Sequence, residues 1–342
     1  FDKVRGFDMV VCAEPAAYKT ISAACGDVLD YEETLDYVAS LTSSFSGVKD
    51  AQVVLMNASE DSTAAVNALL KAGKSVSLIT EGQYEGSFLV SYADWQSVAG
   101  DYLLSGVGVT DAPAALAIPK APVVYISGKP ADNDKGFVKT TLVSGSYEYN
   151  YDRQAMRTLG FTVTDDPAKA DIIVGNVALD QGEKGAAAVA AVKAGTPYIA
   201  TGSDPLEYIS KNLVTDLTYT TLGMEALHTV TYPTDSLITA SYAADGDHVL
   251  YTYSCGVLTS VPAGATVLIQ AAEQDSFIAG CCLNENGTPI DGFVEAIALE
   301  RDGMDLTIFA NSVNNRAHQQ DDYRYVTNAI YAKMSTGGAG FT

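Results

Sequence analysis

Between residues 122 and 202, short apolar runs alternate with helix-forming stretches, and this alternation constrains the fold more than any other feature of the chain. Val123-Val124-Tyr125-Ile126, Phe161-Thr162-Val163, Asp171-Ile172-Ile173-Val174-Gly175 and Tyr198-Ile199-Ala200-Thr201-Gly202 are short and continuously apolar. Such runs suit strands buried on both faces. The segments between them carry helix signals. Residues 152–159 close at Gly160, and the alanine-rich residues 185–194 close at Gly195. This rhythm predicts a doubly wound, mainly parallel α/β sheet. Ligands of such sheets bind outside the carboxyl ends of the strands. The loop after Ile126, residues 127–136, is therefore the first place to seek a site.

The flanks read differently. Residues 1–118 form a smaller α/β unit, and residues 119–342 the main domain. In the first unit, strands are expected at 8–12, 52–56, 75–79 and 87–90, with helical spacing at 31–45. A helix over 63–72 takes Ser62 as its N-cap and ends at Gly73, and a shorter helix spans 94–103. Ser105-Gly106-Val107-Gly108 contains G-x-G but lacks the third glycine and the strand-to-helix setting of a nucleotide loop. Residues 111–122 carry three prolines and read as a linker. Residues 214–300 are β-rich, an antiparallel insertion with expected strands at 236–240, 248–253 and 265–269 and turn signals at Asp245-Gly246, Pro262-Ala263-Gly264 and Glu285-Asn286-Gly287. A last strand covers 306–310. A helix over 323–334 places Tyr323, Val326, Ile330 and Met334 on one face.

Charge narrows the partners. Against 42 acidic residues stand 20 lysines and arginines, a net charge of −22. Nucleic acid and anionic lipid are excluded, because phosphate binding needs clustered cations. No apolar run approaches the roughly 20 residues that span a bilayer, so membrane insertion is not expected. The chain begins at Phe1 without a signal pattern, which suggests a processed form or a piece of something longer. Cys12 and Cys25, or Cys255 with Cys281 or Cys282, can pair in an oxidising compartment; buried thiols are the alternative. Twenty tyrosines with few cations suggest an extracellular or surface-located bacterial protein.

The chemistry-bearing residues form no complete motif. Asp132, Asp134 and Gly136 resemble half of a calcium loop, with the glycine one place early and no following glutamate at the expected distance. Calcium at Asp132 and Asp134 is thus weighed against an Asp-rich surface loop. The three histidines, His228, His248 and His318, lie in no zinc motif. His318, with Asp321 and Asp322 beyond it, offers too few ligands for a catalytic metal. Ser203 follows a strand where an amidotransferase places its cysteine, and Cys255 also follows a strand. Either could act with His318, although Ser203 equally reads as a helix cap ahead of Pro205. Tyr147, Tyr149 and Tyr151 alternate as on one face of an extended segment, suited to stacking on sugars or peptides or to a partly buried strand.

Three places together resemble a family. Asn57, Asp61 and Ala65-Val66-Asn67-Ala68-Leu69-Leu70-Lys71-Ala72-Gly73, with Gly86-Ser87-Phe88-Leu89-Val90, are similar to the unit that follows the catalytic domain of large bacterial zinc-carboxypeptidase-like proteins. Lys120-Ala121-Pro122-Val123-Val124-Tyr125, with Asp134-Lys135-Gly136, resembles the opening of their amidotransferase-like domain. Asn314-Asn315-Arg316-Ala317-His318, with Asn328-Ala329-Ile330, is similar to their terminal pattern. The resemblance implies a degenerate class I glutamine amidotransferase-like domain without its cysteine, and a zinc domain lying upstream. Arg316 and His318 would be contacts at the sheet end. The implied role is a non-catalytic accessory region of an exported metallocarboxypeptidase-like protein, aiding assembly or the positioning of peptide or cell-wall material, with no cofactor of its own. Two alternatives stand beside it: a hydrolase or amidotransferase-like enzyme using Ser203 or Cys255 with His318, and a self-associating structural surface protein.

Overall fold

The computed structural model describes residues 41–128, 151–253, 256–282, 290–314 and 320–335. They form a mixed α/β structure with two sheets and, among the described residues, seven α-helices. The first sheet holds β1 (Ser44–Gly47), β2 (Gln52–Leu55), β3 (Ser77–Ile79), β4 (Phe88–Ser91), β5 (Ser105–Val109) and β6 (Ala115–Ala117) in the order β1-β5-β2-β4-β3-β6. Only β1 and β5 run parallel. Helices α1 (Glu60–Lys71) and α2 (Tyr92–Val98) belong to this part of the chain.

Several local expectations change here. Helix α1 starts three residues early: Ser59 is its N-cap, and Glu60 and Asp61 occupy the first turn, where carboxylates suit the helix dipole. Ser62 instead lies inside the helix and donates to the Met56 carbonyl at 2.8 Å. Phe45 lies in β1, not in a helix; the rest of that expected helix up to residue 40, and the strand at 8–12, fall outside the described residues. The G-x-G at Gly106 and Gly108 is strand interior. A Cβ on Gly106 would strike the Trp95 ring, and one on Gly108 the Val48 backbone. These glycines serve close packing, not phosphate. The stretch read as a linker contains β6.

The second sheet has twelve strands. In chain order they are β7 (Val123–Ile126), β8 (Thr162–Thr164), β9 (Ile172–Gly175), β10 (Tyr198–Thr201), β11 (Thr218–Thr221), β12 (Met224–Thr231), β13 (Val249–Tyr253), β14 (Gly256–Ser260), β15 (Thr266–Ala271), β16 (Phe277–Cys282), β17 (Val294–Arg301) and β18 (Met304–Phe309). Five of them, in the order β8-β7-β9-β10-β18, are mutually parallel. The remaining pairings are antiparallel and begin where β17 turns back on β18. The β-rich region is thus continuous with the parallel half. Residues 236–240, expected as a strand, instead lead into α6 (Ala240–Asp245). Five residues are too few to separate the two periods.

The parallel strands are covered on both faces, and the side-chain alternation explains how. Ile126, Val174 and Ile199 join Ala155, Met156 and Leu159 of the α3 (Tyr151–Thr158) segment in one core. Their neighbours Tyr125, Ile173, Tyr198 and Ala200 face the other way, onto Ala188 and Val192 of α4 (Gly185–Lys193) and Leu206 and Ile209 of α5 (Ser203–Asn212). The period of two in a strand produces this division.

Helix α7 (Tyr323–Ser335) joins the halves, packing on α1 and β3. Tyr323 to Lys333 are all buried, so the single apolar face expected from sequence is a helix enclosed on every side. Its polar residues have partners. Asn57 Nδ2 donates to Asn328 Oδ1 at 2.7 Å, and Asn328 Nδ2 donates to Ile238 O at 3.0 Å and Ser241 Oγ at 3.1 Å. Arg324 pairs with Asp321 and Asp245 and lies 4.2 Å over the Tyr242 ring, which stacks on Tyr325 at 3.8 Å.

Candidate functional site

Strand order singles out one place. β8 and β9 lie on opposite sides of β7, so the direction of winding reverses between β7 and β9. A crevice outside the carboxyl ends of strands forms at such a reversal. Polar residues gather at those ends: Ser127 after β7, Asn176 after β9, Thr201 ending β10, and Asn311, Ser312 and Asn314 after β18. Gly175 makes room for Ser127, because a Cβ there would fall inside the Ser127 hydroxyl. Ser127 Oγ donates to the Val177 carbonyl at 3.3 Å.

Asp152 is the centre of this polar group. It sits in the first turn of α3, where the helix dipole favours a carboxylate, and has no exposure to solvent. Asn314 Nδ2 donates to its Oδ1 at 2.8 Å, Thr201 Oγ1 makes longer bonds of 3.4 and 3.5 Å, and the Asn176 backbone N–H also donates to it. Burial pushes its carboxyl up to about 6, and these three donors hold it from rising further. Among the described residues, every group that bonds Asp152 is neutral, and Asn314 Oδ1 and Asn176 Oδ1 are buried atoms without a hydrogen-bond partner.

The sequence-derived candidates are placed as follows. Ser203 is the first residue of α5, and Gly202 is its N-cap, with φ 91° and ψ 179°. Only glycine tolerates that backbone well, so the chain turns from strand into helix on Gly202, and the expected Ser203 cap is displaced by one residue. Among the described residues Ser203 Oγ has no hydrogen-bond partner. Asp132, Asp134, Gly136, Cys255, Arg316 and His318, with Tyr147 and Tyr149, lie outside the described residues. Among the described residues no three His, Cys, Asp or Glu side chains are grouped to hold a metal ion, and no helix is long and apolar enough to cross a membrane.

Two features were not anticipated from sequence. His228 Nε2 lies 2.6 Å from Glu295 Oε1, with the side chains 0% and 1% exposed. Among the described residues His228 Nδ1 and Glu295 Oε2 have no hydrogen-bond partner. This pair joins β12 to β17 away from the strand-end crevice and is sealed from solvent. Second, a cavity of about 590 Å³ opens at the amino ends of the parallel strands, lined by Pro119, Asp171, Pro197, Arg301, Asp305 and Lys333 among others. Four of its charged groups are paired: Asp171 with Lys120, Arg301 with Asp216, and Lys333 with Asp305. It lies at the end of the sheet opposite the reversal crevice. The carboxyl-end group around Asp152 is the better site.

No family model matches the chain, and no curated protein matches it. Among solved structures it is similar to a Thermoplasma acidophilum protein described as part of a GMP synthase, with 9% identity over 64% of this chain and 95% of that one and a TM-score of 0.37. A cytoplasmic protein from Salmonella typhimurium LT2 gives 12% identity, 61% and 98% coverage and a TM-score of 0.37. An exo-β-1,4-mannosidase from an Opitutaceae bacterium gives 12% identity, 62% and 35% coverage and a TM-score of 0.34. Likeness at this level fixes neither fold family nor activity.

Proposed function

We propose that this chain is a non-catalytic accessory region of an exported metallocarboxypeptidase-like protein, holding peptide or cell-wall material at the carboxyl end of a flavodoxin/amidotransferase-like sheet. The observation that carries this reading is the turn after β10. An amidotransferase-like sheet places its nucleophile there; this chain has Gly202-Ser203, with no described base bonded to Ser203. The buried carboxyl at these strand ends, Asp152, is spent on Asn314, Thr201 and Asn176. Numbered along the chain, the five parallel strands lie in the order 2-1-3-4-5, an order that supports a flavodoxin-like reading. The residues that carry the family resemblance also have structural duties: Asn57 bonds Asn328, and Asn67 Nδ2 donates to the Leu159 carbonyl at 2.8 Å.

The purified chain is expected to co-sediment with peptidoglycan sacculi and to hydrolyse ester and glutamine substrates only at background rates. Hydrolysis that disappears in Ser203→Ala would establish instead the alternative, an enzyme built on Ser203.

A further inference from the structure

The hydrogen-bond inventory at the sheet end is lopsided. Asp152 accepts from Asn314 Nδ2, from the Thr201 hydroxyl and from the Asn176 backbone. The Thr201 hydroxyl, the Asn176 N–H and one of the two Asn314 N–H groups are thereby used. Beside the second Asn314 N–H there remain two acceptors, Asn314 Oδ1 and Asn176 Oδ1, both buried and, among the described residues, both unpartnered. The Asn314 amide cannot be turned to relieve this, because flipping it would set its oxygen against the carboxylate. Asn314 itself is fully buried, so bulk water does not satisfy the oxygen. A buried acceptor left unmade costs about 1–3 kcal/mol. Other buried side-chain atoms of the fold also lack a partner among the described residues, but these two belong to residues that both bond Asp152. The carboxylate's charge is also uncompensated by any group that bonds it. Asn176 and Ser203, which follow β9 and β10, are only partly buried and are the surface-side residues of this strand end.

From this we infer that Asn176, Asn314 and Asp152 form a subsite for a primary ammonium group of a ligand. An ammonium has three donors and no acceptor, and its charge complements the carboxylate. The two amide oxygens take two N–H groups and Asp152 supplies the field. The inference deepens the accessory reading above and rests on it: it names the part of a peptide or cell-wall fragment that enters the crevice. An ammonium can come from a peptide amino terminus or from a lysine-type side chain, and the site chemistry is the same for both.

Calorimetric titration separates these cases. The probes are trialanine, N-acetyl-trialanine and Nα-acetyl-lysine amide. Trialanine or the lysine derivative is expected to bind saturably, and N-acetyl-trialanine at least about tenfold more weakly, a difference of about 1.4 kcal/mol. Asn176→Leu removes one acceptor while leaving the backbone bond to Asp152, so the fold keeps its melting temperature. This variant is expected to weaken binding of the ammonium probe about tenfold. Equal binding of all three probes, no binding by any of them, or unchanged affinity in Asn176→Leu overturns the inference; an enclosed water would then hold the two oxygens. Sacculus binding that persists in that event leaves the accessory reading standing. Ser203-dependent turnover removes the accessory reading, and the free-to-acetylated affinity ratio then still decides the subsite.

Discussion

At the scale of single residues, Asp152 links structure to pH. Its carboxyl titrates near 6 in the folded chain against an ordinary value of 3.8. Between those values the folded state binds more protons than the unfolded state, so stability falls as pH rises. The full contribution is present below 3.8 and lost above 6, and amounts to about 3 kcal/mol. Asp152→Asn is expected to flatten that slope and to be at least as stable as the parent at pH 7, measured by urea unfolding across pH 4–7. A parent whose stability rises over this interval in an Asp152-dependent way would contradict the assignment. Nothing in the sequence announced this residue. Asp152 reads as an ordinary first-turn acid of a helix, and such residues are normally solvated. Its burial is created by Asn314, 162 positions away. The His228–Glu295 pair was hidden for the same reason, its partners standing 67 positions apart on different strands.

At the scale of elements, legibility follows burial. β9 and β10 are buried at every position, so their apolar runs stood out in the sequence and fell where expected. The strand expected at 236–240 failed because a mixed run of five residues also fits a turn leading into a helix. Helix starts were the weakest readings: both Ser62 and Ser203 are good capping residues by type, yet each lies inside its helix. At α5 the reason is Gly202. Its φ of 91° with ψ 179° belongs to a region essentially reserved for glycine. Gly202→Ala is expected to cost about 1–3 kcal/mol in thermal unfolding. A Cβ there would meet Ser312 Cβ at 3.4 Å, an ordinary contact, so the cost is backbone strain rather than crowding. A neutral substitution would show that the strand-to-helix turn relaxes without loss.

At the scale of the molecule, the two sheets are held by α7. Asn328 makes three side-chain hydrogen bonds, reaching Asn57 before α1 and both Ile238 and Ser241 at α6. Asn328→Ala strands several buried partners at once and is expected to cost about 3 kcal/mol. Urea unfolding followed separately by Trp95 fluorescence and by far-ultraviolet circular dichroism checks this. Loss of coincidence between the two probes would mean that the sheets part before they melt. In the sequence Asn57 and Asn328 stand far apart with nothing to join them; only the fold brings the two amides together.

The enclosure of α7 also sets an order of events during synthesis. Asn57 waits for a partner 271 residues further along the chain. Until α7 emerges, Phe88 and Phe161 lack Tyr331, whose ring lies 5.1 and 5.8 Å from theirs. A ribosome adding about 5–20 residues per second needs some tens of seconds to span that gap. Through that interval the first sheet carries an uncovered apolar face, which gives this chain a long window in which holdase chaperones, or another nascent copy, compete with its own late helix.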